Sequence, residues 1–192
     1  MDFEKMLNKL KEVFGEWPLR VAEFHKVSYD QFRKDWINTF SEPNDEELRD
    51  ERIIADAYDT LSLPMRSDQG SCGYDFYSPL SFTLDPDEEI VIPTGIKIKM
   101  LVGWYLMCCP RSGLGFKYYC RFANSMGIID ESYFGNPDNE GHCFIKLRNE
   151  GTKRMVINKG DRFCQGIVNV HGITLSDSAN GIRNGGLGST GA

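Results

Sequence analysis

The sequence predicts a mainly β domain behind a helical N-terminal segment, and three features carry that reading. Of 19 glycines in the 192 residues, only Gly15 precedes residue 70, while the first 66 residues hold half of the charged side chains. Apolar residues recur every three or four positions in the early part of the chain, and every second position after residue 70. Gly, Pro, Asn and Asp cut the later part into short runs spaced as in sandwiches and jelly rolls, not as in alternating βα units.

The elements follow in order. Phe3, Met6, Leu7, Leu10, Val13 and Phe14 share a helical face that stops at Gly15 and Pro18, giving a first helix over 2–14. Alternation over 19–27 predicts a strand. Ser28 with Gln31 forms a capping-box pattern ahead of Phe32, Trp36, Ile37 and Phe40, giving a second helix over about 29–40. Asn44 with Glu47 suggests a third over about 45–59, although Arg52-Ile53-Ile54 fits a strand start equally well. Beyond residue 70, Ile90–Met100 reads as two runs joined by a turn at Pro93-Thr94-Gly95, with Ile96, Ile98 and Met100 on one core face. Further strands are predicted at 103–109, 143–148, 154–157 and 163–171. The domains are then a helical extension over 1–62, a β core over 63–175 and a glycine-rich tail over 176–192, whose low apolar content predicts mobility without a ligand.

Composition excludes several functions. The longest uncharged apolar stretch, Met100–Cys109, is about half of the roughly 20 residues a membrane helix needs. The N-terminus alternates acid and base without an apolar core for a cleaved signal, so a cytosolic protein is expected. A net charge of -6 argues against direct nucleic-acid binding, which needs surplus Lys and Arg. The six cysteines contain no C-x-x-C pair and have only His25, His142 and His171 as nitrogen co-ligands, which argues against zinc.

Gly186-Leu187-Gly188-Ser189-Thr190-Gly191 matches G-x-G-x-x-G, but the helix a dinucleotide fingerprint requires has no room to follow it. What remains is a segment of backbone N–H groups, hydroxyls and Arg183 able to wrap an oligophosphate. Four other stretches belong with it: Ser71-Cys72-Gly73-Tyr74-Asp75-Phe76, Pro110-Arg111-Ser112-Gly113-Leu114, Asn124–Gly135 and Gly160–Gln165. All five, in this order and spacing, resemble the motifs of the trimeric dUTPases, the deoxyuridine triphosphate nucleotidohydrolases, over about residues 63–191.

The resemblance implies a dUTPase-like β jelly roll (β-clip), with the N-terminal extension as in phage or prophage relatives. It also implies a homotrimer with shared sites, and hydrolysis of dUTP to dUMP and pyrophosphate with Mg²⁺. That reaction limits uracil in DNA and supplies dUMP for dTMP synthesis. Asp130 falls on the general base, where a carboxylate can deprotonate water for attack on the α-phosphorus. Tyr133 falls on the ring that excludes a ribose 2′-hydroxyl. Asn124 falls on a reader of the uracil edge, with the hairpin backbone through Gly127 and Ile129 supplying the rest. Arg111, Ser112, Gly113, Gln165 and Arg183 fall on phosphate positions. Gly188, Ser189 and Thr190 belong to the closing tail, and Asp75 matches the acidic residue associated with the metal through water. Asp161-Arg162 reads as a structural pair. Leu187 departs from the family's aromatic lid, so either it makes a weaker cover or an aromatic such as Phe144 substitutes.

Two alternatives stand beside this reading. A dCTP deaminase shares the fold, but Lys146 occupies the place of its catalytic glutamate. A nucleotide-binding regulatory protein without turnover conflicts with an intact Asp130.

Overall fold

The computed structural model describes residues 18–181 and, before them, positions 4, 5, 8, 9, 12 and 15. Glu4, Lys5, Asn8, Lys9 and Glu12 are helical and exposed, which is the polar side of the predicted first helix. The rest of that helix, and the tail from residue 182, lie outside the described residues.

The chain opens with strand β1 (Ala22–Lys26), helix α1 (Tyr29–Thr39), a 3₁₀ turn (Pro43–Arg49) and helix α2 (Glu51–Asp59). The third predicted helix is therefore broken: Asp50 is extended, and its side chain caps α2 by accepting from the Arg52 N–H at 2.8 Å. Arg52-Ile53-Ile54 is helical, and Asn44 is not the cap. The box at Ser28 forms by half. Ser28 accepts from the Gln31 N–H at 3.2 Å, but its own N–H donates to the distant Glu140 at 3.0 Å, and the Gln31 amide turns instead to Asp35.

The β part comprises β2 (Gly73–Tyr77), β3 (Phe82–Leu84), β4 (Glu89–Pro93), β5 (Ile96–Met100), β6 (Trp104–Pro110), β7 (Cys120–Phe122), β8 (Gly127–Asp130), β9 (Phe144–Asn149), β10 (Met155–Ile157) and β11 (Arg162–Val170). Helix α3 (Ser112–Tyr118) follows β6 where no helix was expected. The main antiparallel sheet has the order β2-β11-β6-β8, a second is β4-β9-β7, and β1-β5 and β10-β3 are two-stranded. The turn at Pro93-Thr94-Gly95 is present, with Gly95 at φ 74°, but it sends β4 and β5 into different sheets instead of pairing them. β5 pairs with β1, so Ile96 and Ile98 are buried between strands distant in sequence.

Among the described residues one apolar core joins both halves. Val27, Phe32, Trp36, Ile54 and Ala57 are buried together with Phe76, Ile92, Leu106, Leu147 and Phe163. Phe24 stands edge-on to Phe76 at 5.7 Å, and the Trp36 indole N–H is satisfied by the Leu48 carbonyl at 2.8 Å. The region 1–62, as far as it is described, packs into the β core through these residues.

Candidate active site

Two clusters of predicted site residues form, one along β6 and one just beyond its C-terminal end. At the first, the chain leaves β7, turns through Ser125 at φ 66°, and returns as β8 beside β6, with Gly127 opposite Cys108 and Ile129 opposite Leu106. Asn124, Gly127, Ile129 and Tyr133, all predicted, line one cleft together with Cys108 and residues 142–145. Its volume of about 250 Å³ lies below the ~300–1,000 Å³ of whole small-ligand pockets. It suits a nucleoside better than a complete triphosphate. Phe144, the predicted substitute for the aromatic lid, lines the same cleft, with its ring 4.5 Å from that of His142.

The wall behind Tyr133 is built from the loop that follows it. The Tyr133 hydroxyl accepts from Asn139 at 2.6 Å and donates to the His142 carbonyl at 3.3 Å. Gly141, at φ 85°, packs so tightly on the Tyr133 backbone that any Cβ there would collide with the Tyr133 carbonyl oxygen. His142 is fully buried. Its Nε2 accepts from the Gly95 N–H at 2.7 Å, so that nitrogen carries no proton; Nδ1 holds it and donates to Asp35 at 2.6 Å. Burial pulls the His142 pKa down against the raising effect of Asp35, in agreement with a neutral ring. Neither Asp35 nor the role of His142 was visible in the sequence. A loop crowded with Asn, Pro, Asp and Gly was its only signal.

Asp130 ends β8 directly opposite Tyr105 and is exposed, as is Ile128 on the same face. Along β6 from Tyr105 to Arg111 the chain advances six residues, about 20 Å at a strand rise of roughly 3.3 Å.

The second cluster sits at that far end. Arg111 and Ser112, at the start of α3, line a cleft with Phe116 and Tyr119, next to the exposed Gly113. Arg111 is ion-paired to Asp75 through Nε at 2.8 Å, and Arg162 donates to the other Asp75 oxygen at 3.1 Å. Gln165 lies opposite Asp75 on one side and Cys109 on the other. Its side chain covers Gly73, where a Cβ would strike it, and donates to the Pro110 carbonyl at 3.5 Å. Asp161 and Arg162 do not pair with each other as expected: Asp161 accepts from Asn158, leaving Arg162 for Asp75.

Asp75 is buried with both oxygens committed to guanidinium groups, and among the described residues no three His, Cys, Asp or Glu side chains are placed to hold a metal. These residues do not fit a directly ligated magnesium. Arg183, Leu187, Gly188, Ser189 and Thr190 lie outside the described residues. Lys146, on β9, is ion-paired to Glu89 on the partly exposed face, and is not among the residues lining the nucleoside-sized cleft.

Comparison with known proteins shows the family of the chain. The dUTPase family model matches residues 59–191. A deoxyuridine 5′-triphosphate nucleotidohydrolase of Lactococcus lactis is 39% identical over 134 residues, covering 69% of this chain and 89% of that protein. The crystal structure of a dUTPase from Streptococcus mutans superposes with a TM-score of 0.53 at 32% identity, covering 58% of this chain and 88% of that one. A mutant dUTPase from phage phi11 of Staphylococcus aureus, which coordinates a structural Mg(II) ion, shares the fold at a TM-score of 0.52 and 20% identity, over 63% of this chain and 91% of that one.

Proposed function

Because the chain belongs to the dUTPase family, whose members hydrolyse dUTP to dUMP, we propose that it does so with Asp130 as general base in a site assembled from more than one chain. The observation that carries the reading is the cleft beside β8, where Asn124, Gly127, Ile129 and Tyr133 stand together next to Asp130 at the end of that strand. Asp130 and Arg111 of one chain stand about 20 Å apart by strand rise, at Tyr105 and beyond Pro110 respectively. The family resemblance assigns the phosphate cluster of each site to a neighbouring copy and makes the assembly a homotrimer.

In this site Asn124 and the backbone around Gly127 and Ile129 read uracil, and the Tyr133 ring closes on deoxyribose. Asp130 orients water and takes its proton as the oxygen attacks the α-phosphorus in line, and pyrophosphate leaves. Arg111, Ser112, Gly113 and Gln165 of a neighbour neutralise and position the phosphates. Arg183, Gly188, Ser189 and Thr190 complete the enclosure, with Leu187 over the base. Asp75 acts by holding Arg111. A magnesium ion would help neutralise the triphosphate charge, and of these residues Asp75 would hold it only through water. All six cysteines are free thiols, as a reducing cytosol keeps them. Within the described residues no helix is long and apolar enough to cross a membrane.

Mixing two inactive variants tests the arrangement. Asp130→Asn and Arg111→Ala chains, refolded together, regain pyrophosphate release from dUTP when base and guanidinium come from different copies. Mixed oligomers that stay inactive place both groups in one chain and overturn the reading.

A further inference from the structure

The loop between Tyr133 and Phe144 is held from outside by the N-terminal segment, which precedes the family match at residue 59. Asp35 on α1 grips His142 at 2.6 Å, and is itself held by Gln31 at 2.9 Å. Ser28, at the start of the same helix, gives Glu140 both its N–H and its hydroxyl, the latter at 2.5 Å, and Lys97 reaches the same carboxylate at 2.7 Å. These contacts secure a backbone that is unrelaxed by itself, since Glu140 sits at φ 59° without being glycine. The same loop supplies both polar partners of the Tyr133 hydroxyl, from Asn139 and the His142 carbonyl.

We propose that α1 sets nucleoside discrimination in this enzyme: Asp35, through His142, and Ser28, through Glu140, are positioning residues that fix the loop against which Tyr133 is seated. The His142 ring offers no hydrogen bond to a ligand, because both nitrogens are engaged by Asp35 and Gly95. Its contribution is to lock the carbonyl that receives the Tyr133 hydroxyl. Asp130 is fixed separately, by β8 pairing to β6, so loosening the loop affects substrate fit before chemistry. The inference rests on the reading of Tyr133 as the group that excludes a 2′-hydroxyl.

The test uses the full chain with dUTP and UTP as competing substrates. Asp35→Ala should raise KM for dUTP and lower the dUTP/UTP preference, each by about tenfold, with kcat changed less than about threefold, because small misplacements cost fit steeply. Asp35→Asn keeps an oxygen that accepts from Nδ1–H and should restore both. Ser28→Ala, at an exposed hydroxyl that does not enter the core, should shift KM and preference in the same direction by a smaller factor. If Asp35→Ala unfolds the chain, Ser28→Ala decides alone. Unchanged KM and preference in the folded variants would overturn the proposal and leave α1 a packing element. Tyr133→Ala separates the two readings. If it keeps the dUTP preference, the Tyr133 assignment fails and with it this one; if it loses the preference while the Asp35 and Ser28 variants keep it, only the present inference fails.

Discussion

Asp75 on β2 faces Arg111, the residue between β6 and α3, across 2.8 Å. The carboxylate is buried and receives Arg162 as well, so Arg111 is held in place before any phosphate arrives. Asp75→Ala is expected to lower kcat/KM for dUTP by about tenfold or more, with the oligomer intact by light scattering. An unchanged kcat/KM would mean that Arg111 needs no such support.

Asp130→Asn should abolish turnover while dUTP still binds, because the amide keeps the shape of the carboxylate but cannot take a proton from water. The expected loss in kcat is about 10²–10⁴-fold. Pyrophosphate release and equilibrium binding measured on the same preparation check it. More than about a tenth of the wild-type kcat would remove Asp130 from the role of base.

Acid should weaken the fold in two stages, both of the same sign. Burial keeps the folded His142 pKa below its ordinary value, so the unfolded chain takes up that proton first as pH falls below about 6.5. This contribution is complete above that pH and declines beneath it. For Glu140, burial acts to raise the pKa, but the hydrogen bonds from Lys97 and Ser28 prevail and hold it at about 2. Its contribution is present above the ordinary carboxylate value of 4.5 and is lost as pH falls toward 2. Thermal unfolding between pH 7 and 3 should show Tm dropping first near the histidine range, and the Glu140→Gln variant should flatten the lower part of the curve.

Truncation after Asn180 should leave a folded oligomer whose kcat/KM falls by orders of magnitude, since residues 181–192 carry the glycine-rich motif and Arg183. Arg183→Ala should reproduce much of that loss by removing one charge-assisted contact to phosphate. Normal turnover by the truncated chain would reduce the tail to a linker end.

What the sequence made legible was local or motif-borne. Strand alternation identified β5, β6, β9 and β11, and the cap at Ser28 placed α1, because these follow from neighbours three or four residues away at most. The five motifs picked out Asn124, Gly127, Ile129 and Tyr133, which do line one cleft. The rest depended on long-range partners. Glu140 replaced Gln31 as acceptor for the Ser28 N–H from 112 residues away, and Asp35 met His142 across 107. Nothing in the periodicity of either segment encodes such a meeting. The break at Asp50 was hidden for a different reason: an Asp cap inside an acidic stretch looks like one more solvated charge. Helix α3, rich in glycine and aromatic residues, has poor intrinsic propensity and could not be expected from composition.

The pairing of β1 with β5 also bears on how a single chain avoids sticking to its copies. Among the described residues β1 is the only strand that β5 pairs with, and β5 carries Ile96 and Ile98 with lysines beside them. A chain cut back to the family match at 59–191 would bare that strand as a sheet edge with two isoleucines no longer covered. Such an edge is a template for strand addition by any similar chain. Residues 22–26 thus act as a built-in guard against clumping, and their loss would show first as turbidity during refolding rather than as a slower enzyme.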